Sequence, residues 1–373
     1  MREIFRKLAG AVHRLTPKLN HAVIWAWPDG EDNSIALEQA LQGSTVRKVI
    51  LLAGDTDAPP TWDLGAKTLR VSKDSPGGWL RFCFARYVFF THPCYTRRFP
   101  SNVVSVNVWH GMPIKRIGGM IEGDPAIRSS HTLATSPFWG DIMRRTISPS
   151  GAMLAVGLPR NDRLFSEKRE VMGKLGLPAG TKLLAWLPTY RKSVRGLPRT
   201  DGIDTGTAFG MADLEPETLN AFLAQRNSIL LVKPHPMAAF QGLRQWSHLL
   251  VVDDAWLGRK RVSLYEALGA TELLISDISS VVIDYLLLDR PIIHAFPDLA
   301  EYKDSRGFTV EPVEDHLAGP VVSDQAGLLA ALGELLDGAD PDATRRDRMR
   351  QLSHAHTDGK AVGRLLRELG ISG

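Results

Sequence analysis

Short apolar runs recur along the whole chain, separated by stretches with helical hydrophobic spacing, and this alternation constrains the fold more than any other feature. The runs lie at 21–27, 46–52, 68–71, 85–91, 103–108, 132–134, 183–187, 229–232, 249–252, 273–275 and 291–294. Most are continuously apolar rather than alternating, as in strands buried on both faces. Patterns such as 34–41 and 281–288 have helical periodicity and lie between them. Strands alternating with helices predict an α/β fold of parallel sheets covered on both faces. No repeat of solenoid period is present.

The chain has 373 residues, which suits two domains of roughly 150–200 residues each. A turn-rich GLPRND segment, Gly157 to Asp162, marks the expected division. The reading is a basic helix at 1–18, a first Rossmann-like domain at 19–165, a second at 166–342 and a helical segment at 343–373 placed to cross back to the first. Two doubly wound domains facing a central cleft put a ligand where the C-terminal ends of their strands meet. The polar, glycine-rich stretch 191–210 reads as a long loop over that cleft. Cys83 and Cys94 are the only cysteines, too few for a disulfide framework or a Cys-based zinc site. No apolar run approaches the ~20 residues of a spanning helix.

Charge is concentrated at one end. The net charge is +4 (45 − 41), and residues 1–18 alone carry +4, from Arg2, Arg6, Lys7, Arg14 and Lys18 against Glu3. The neutral remainder excludes a nucleic-acid-coating protein. Ile4, Phe5, Leu8, Val12 and Leu15 recur at helical spacing before Pro17. Such a helix can lie in an anionic headgroup plane; a packed terminal helix with a solvated basic face has the same pattern. Arg6 and Lys7 interrupt the apolar stretch, which excludes a signal peptide.

Three motifs carry candidate chemistry. In Val108-Trp109-His110-Gly111-Met112-Pro113-Ile114-Lys115-Arg116, a strand ends at a histidine and glycine turns the chain away. His110 is there placed as a base or, alternatively, as a turn cap, and the two cations that follow suit phosphate. In Leu231-Val232-Lys233-Pro234-His235-Pro236, two prolines stiffen the backbone about His235, and Lys233 lies on the same side of an extended chain. In Ile275 to Tyr285, Ser279 and Ser280 precede an apolar helix whose N-terminus favours an anion, and Asp284 follows four residues after Ser280 on the same face. Simple N-capping explains one serine.

Two smaller elements add to these. Arg160 in GLPRND can grip phosphate bidentately, and Pro188, Thr189, Tyr190 and Arg191 end a strand. The acidic run Asp29-Gly30-Glu31-Asp32 reads as a solvated turn or an acceptor-side loop. Phosphate-loop, nucleophile-elbow and HExxH signatures are absent.

Taken together, WHGMPIK, GLPRND, WLPTYR, KPHP, SDISSVVIDYLLLDRP and the stretch from Glu301-Tyr302 to Arg306-Gly307-Phe308 resemble, in order and spacing, the CDP-glycerol glycerophosphotransferase family of teichoic acid and capsule synthesis. The resemblance runs from about 21 to 322. It implies a GT-B-like fold with an acceptor-side first domain and a CDP-alditol-binding second domain. It also implies peripheral attachment at the cytoplasmic face of the membrane. His110 and His235 correspond to histidines important for activity. Gly111, Met112, Pro113, Ile114, Lys115, Arg160, Pro188, Thr189, Lys233, Pro234, Ser279, Ser280 and Asp284 correspond to residues lining the nucleotide-alditol site. Met112 stands where threonine is usual, Leu187 where alanine is common, Tyr190 where tryptophan is common and Ile278 where tyrosine is common. The length resembles the compact, primase-like members.

The implied partners are CDP-glycerol or a related CDP-alditol, a lipid-linked saccharide or polyol-phosphate acceptor, and an anionic membrane, with no cofactor required by these residues. A GT-B glycosyltransferase using a CMP-sugar, like the sialyltransferases, shares the His-Pro and serine-pair motifs. A non-catalytic membrane-attached binding protein is the third reading.

Overall fold

A computed structural model describes residues 12–56, 60, 62–96, 98–120, 126–148, 150–189, 209–234 and 246–373. The chain divides into two compact units. The first holds the residues up to Met112, Ile117–Phe165 and His354–Gly373; the second holds Pro113–Arg116 and Ser166–Ser353.

The first unit is built on a seven-stranded sheet. Its strands are β1 (Leu19–Trp25), β2 (Lys48–Ala53), β3 (Thr68–Ser72), β4 (Ala85–Phe90), β5 (Val104–Asn107), β6 (His131–Leu133) and β7 (Ala152–Leu154). They lie in the order β3-β2-β1-β4-β5-β6-β7, with every pairing parallel. The second unit has β8 (Lys182–Leu187), β9 (Ser228–Val232), β10 (Leu249–Val251), β11 (Leu273–Ser276), β12 (Ile292–Ala295) and β13 (Val321–Val322). Their order, β10-β9-β8-β11-β12-β13, is also all parallel. Both sheets are therefore doubly wound, with the strand order reversing between β1 and β4 and between β8 and β11.

Burial on both faces explains the continuous apolar runs. Leu184, Trp186, Leu230 and Val232 enter one core of the second sheet, while Leu183, Ile229 and Leu231 enter the core on its other face. In the first sheet Val23, Ile50, Leu52, Val88 and Phe90 pack with Phe82. Each such side chain contributes about 1.5–3 kcal/mol by leaving water.

All eleven apolar runs overlap a strand. The two strands not expected, β7 and β13, have three and two residues. The helix expected at 281–288 is α-helical only over Val281–Tyr285 and continues as 3-10 helix over Leu286–Leu288.

The chain ends involve both units. Helix Ala343–Ser353 belongs to the second, where Arg346 pairs with Asp289 and Asp340 at 3.2 and 2.8 Å. Helix Ala361–Glu368 belongs to the first, its leading amides from Ala361 and Val362 donating to the Asp162 carboxylate at 2.7 and 2.9 Å. Asp162, the last residue of GLPRND, is thus a helix cap as well as a turn residue.

Of the basic N-terminal segment, residues 1–11 lie outside the described residues. The described part docks on the first unit. His13 is 1% exposed and lies 4.8 Å from the Phe82 ring, and Lys18 Nζ donates to the Cys83 carbonyl at 2.6 Å. Leu15 points to solvent, 84% exposed.

Candidate active site

Each unit gathers its polar groups at the carboxyl ends of its central strands, where ligands bind in doubly wound sheets. In the first unit the centre is His110, three residues beyond β5. Trp109 has φ +58° and Gly111 has φ +132°. The positive φ of a bulky tryptophan is an outlier that costs on the order of 1–3 kcal/mol and tends to mark functional turns. The Trp109 amide donates to Asn107 Oδ1 at 3.2 Å.

This turn leaves His110 exposed but held. Its Nδ1 lies 3.2 Å from the Thr91 carbonyl. A carbonyl only accepts, so Nδ1 carries the proton in this bond and, in the neutral ring, Nε2 carries the lone pair. The His92 ring stacks on it at 4.4 Å with planes 10° apart, and the Trp109 ring lies at 4.1 Å. The His110 carbonyl accepts from Arg160 Nη1 at 2.9 Å, and the Arg160 amide donates to Asn33 Oδ1 at 3.1 Å. Arg160 is 8% exposed, so in this arrangement it braces the His110 turn from behind.

The acidic run is a solvated turn only at its start: Asp29 is exposed, whereas Glu31 and Asp32 begin a helix. Glu31 caps helix Asp32–Gln42, accepting from the Asn33 and Ser34 amides at 3.1 and 3.0 Å. Burial raises the Glu31 pKa, opposed by the Asn33 amide and the Arg160 charge. Asp32 pairs with Arg163 at 3.1 Å. Asp29 accepts from the Gly54 amide at 2.6 Å. Together with Ser34, Asp55, Trp62 and Arg70, Asp29 lines a pocket of about 260 Å³ at the ends of β1 and β2.

The motif containing His110 is split between the units. Gly111 and Met112 belong to the first, and Pro113–Arg116 to the second. In the second unit the Thr309 amide donates to the Ile114 carbonyl at 2.8 Å, the Arg116 amide donates to the Gly307 carbonyl at 3.1 Å, and Lys115 bridges Phe308. A Cβ on Gly307, which has φ +70°, would sit 2.8 Å from Arg116 Nε. These bonds join WHGMPIK to the late RGF stretch. Gly111, Met112, Pro113 and Ile114 are buried, with Met112 at 0%. Met112 therefore acts through packing, not through a ligand-facing side chain. Lys115 Nζ lies 5.3 Å from the Tyr302 ring centroid, and Arg116 pairs with Glu311 at 3.0 Å.

In the second unit the reversal between β8 and β11 carries Pro188 and Thr189 on one side and Asp277 to Ser280 on the other. Pro188 is half-buried. The Thr189 amide donates to Asp277 Oδ2 at 3.3 Å, and its hydroxyl donates to the same oxygen. Asp277 is 2% exposed. Its carbonyl accepts from His294 Nδ1 at 2.9 Å, while His294 Nε2 accepts from the Ala318 amide at 3.0 Å. His294 is therefore neutral, its pKa pushed down to about 4 by burial. Neither Asp277 nor His294 was singled out as a site residue. Asp277 was recognisable only as part of SDISS, and His294 ends an apolar run like a core residue.

Ser279 and Ser280 are half-buried, and Ser280 makes no side-chain capping bond to helix Val281–Tyr285. Ser279 Oγ accepts from the Val281 amide at 3.4 Å. Capping thus does not consume the Ser280 hydroxyl, but a five-residue helix supplies a smaller dipole than the longer helix expected.

Two expectations are corrected. Asp284 does not face outward beside Ser280. It is 0% exposed, and its Oδ2 accepts from the Tyr265 hydroxyl at 2.6 Å, because the whole helix Val281–Tyr285 is buried. Lys233 is not an open cation. It is 9% exposed and pairs with Asp254 at 3.0 Å. Pro234 is half-buried. His235, Tyr190 and most of 191–210 lie outside the described residues. Among the described residues, no three His, Cys, Asp or Glu side chains gather in a metal-binding group.

Known proteins resemble this chain in architecture and sequence. The teichoic acid ribitol-phosphate polymerase TarK of Staphylococcus aureus is 27% identical over 312 residues, covering 76% of this chain and 56% of that protein. The teichoic acid glycerol-phosphate transferase of the same organism is 24% identical over 288 residues, covering 70% and 69%. This chain spans about half the length of the ribitol-phosphate polymerases it matches. The solved wall teichoic acid polymerase TagF superposes with a TM-score of 0.78 at 18% identity, over 99% of this chain and 93% of that one, so the two share a fold, here the GT-B-like one. Residues 12–370 match the profile of one family, and with both sheets and the ordered motifs in place the chain belongs to the CDP-glycerol:poly(glycerophosphate) glycerophosphotransferase family.

Proposed function

We propose that the protein transfers glycerol phosphate, or a related alditol phosphate, from a CDP-alditol to a hydroxyl of a lipid-linked acceptor, releasing CMP, in the synthesis of a teichoic-acid or capsule-type polymer. The observation that carries this reading is the anchored tautomer of His110 within the family's WHGMPIK motif. The acceptor hydroxyl attacks the β-phosphorus. An oxygen–phosphorus bond forms, the bond to the CMP oxygen breaks with its electron pair leaving on CMP, and the hydroxyl proton passes to His110 Nε2. His235, in KPHP, stabilises charge on the leaving phosphate. The amides and hydroxyls about Ser279 and Ser280 seat the pyrophosphate, Lys115 adds positive charge, and Thr189 orients the donor. Catalysis is then mainly positioning and electrostatics. The pocket holding Asp29 and Trp62 supports an acceptor-side role for the first unit.

The test is incubation with CDP-glycerol, CDP-ribitol and CMP-sialic acid in turn, with a lipid-linked acceptor and mass spectrometry of the products. An alditol phosphate added to the acceptor is expected. Transfer of a sugar from the third donor, or no transfer from any, overturns the reading.

The protein acts at the cytoplasmic face of the membrane in this reading, held by its basic N-terminal segment. No helix among the described residues is long and apolar enough to cross a membrane. Reversing Arg2, Arg6 and Lys7 to glutamate leaves the docked His13 and Lys18 in place. It is expected to abolish co-flotation with anionic liposomes, and undiminished flotation removes the segment from the attachment.

A further inference from the structure

The neighbourhood of His110 contains a histidine that no motif singled out. His92 follows β4, the strand beside the reversal of the first sheet, and its ring lies 4.4 Å from that of His110 and nearly parallel to it. Three contacts fix the stack. Thr91 Oγ1 lies 3.0 Å from His92 Nδ1, the Thr91 carbonyl holds His110 Nδ1, and the Trp27 ring meets His92 edge-on at 5.6 Å. One residue, Thr91, therefore orients both imidazoles through its hydroxyl and its carbonyl.

We propose that His92 is a positioning residue for His110, presenting a neutral aromatic face that, with Trp109, favours the imidazolium formed when His110 takes up a proton. The inference rests on the proposed role of His110 as base. An aromatic face attracts a cation, so stacking stabilises the protonated ring more than the neutral one and makes His110 the stronger base. The partner must itself stay uncharged, since two stacked imidazolium rings would repel. Burial, reinforced by the Lys73 charge, keeps the His92 pKa at about 4. Among the described residues, Arg160 lies beside the pair with its guanidinium on the His110 carbonyl, and Glu31 lies near Arg160. The Arg160 guanidinium disfavours the His110 imidazolium, and the two aromatic faces and the Thr91 carbonyl offset it.

The experiment is an NMR titration of the His110 ring in the resting, full-length protein, paired with pH–rate profiles of CMP release. In His92→Leu, which keeps bulk without an aromatic face, the His110 midpoint is expected to fall by about half a pH unit, from a contact of ~0.5–1 kcal/mol. The acid limb of the rate profile should move with it, and kcat should drop roughly tenfold or more with donor KM held, because a misplaced base loses alignment. His92→Phe restores the aromatic face and is expected to return the midpoint toward its original value. An unmoved midpoint in a folded His92→Leu protein overturns the proposal, as does a His92→Phe midpoint that falls as far as that of His92→Leu. The two readings fail separately. Near-normal turnover by His110→Ala would remove His110 as base while leaving the titration result intact.

Discussion

Replacing His110 by alanine is expected to lower CMP release by roughly 10²–10⁴-fold, the usual contribution of a positioned general base. Donor KM and the melting temperature should change little. The side chain is exposed at the end of β5, so its truncation leaves no buried cavity. The strain in the turn resides in the backbone of Trp109, which the substitution does not touch. The measurement is CMP release at saturating CDP-glycerol with acceptor present, alongside thermal melting. Turnover within a few-fold of the parent would remove His110 from the mechanism. A large loss accompanied by a collapsed melting temperature would instead make the residue a structural one.

Acidification should destabilise both units well before carboxylate protonation is complete. His13 in the first unit and His294 in the second are each 1% exposed, and burial pushes each pKa down to about 4 from an ordinary 6.5, with Lys18 adding to the effect at His13. A histidine whose folded pKa is depressed binds its proton preferentially in the unfolded chain. Its contribution is therefore fully present above pH 6.5 and is lost as pH falls through the window from 6.5 to about 4. By pH 4 each ring contributes about 3 kcal/mol less than at neutrality, on the order of a third of a typical domain's stability. His13 has no hydrogen-bond partner for either ring nitrogen among the described residues, so its cation would find no acceptor there. Urea unfolding followed from pH 7 to pH 4 is expected to show the midpoint moving steeply downward below pH 6.5. In His294→Gln, which cannot titrate, the second unit should lose that dependence even if it starts from a lower stability. A flat profile in the parent protein would overturn the assignment of these rings as buried and neutral.

The strands were legible because burial on both faces leaves runs such as Leu230 to Val232 with no polar interruption. Strands β7 and β13 were not: both are edge strands, β7 with no fully buried residue and β13 with only two residues. The ordered motifs likewise announced the reversal point of the second sheet, since WLPTYR and SDISS end β8 and β11. What each side chain does there was harder to read. Lys233 and Asp254 are twenty-one residues apart, and their ion pair exists because parallel β9 and the helix after β10 bring them together. Asp284 reads as a partner of Ser280 from its spacing, yet the helix turns it into the core against Tyr265.

By itself, the order of residues determined the class of fold, the position of the turns that end the central strands, and the family. Those properties depend on local patterning and on short motifs, which are continuous along the chain. Only the tertiary structure decided that His92 lies on His110, that Arg160 braces a carbonyl and that Pro113 to Arg116 pair with Gly307 to Thr309. Those contacts join residues that are distant in sequence, and whether a charged or polar group faces solvent or a buried partner depends on which elements pack together.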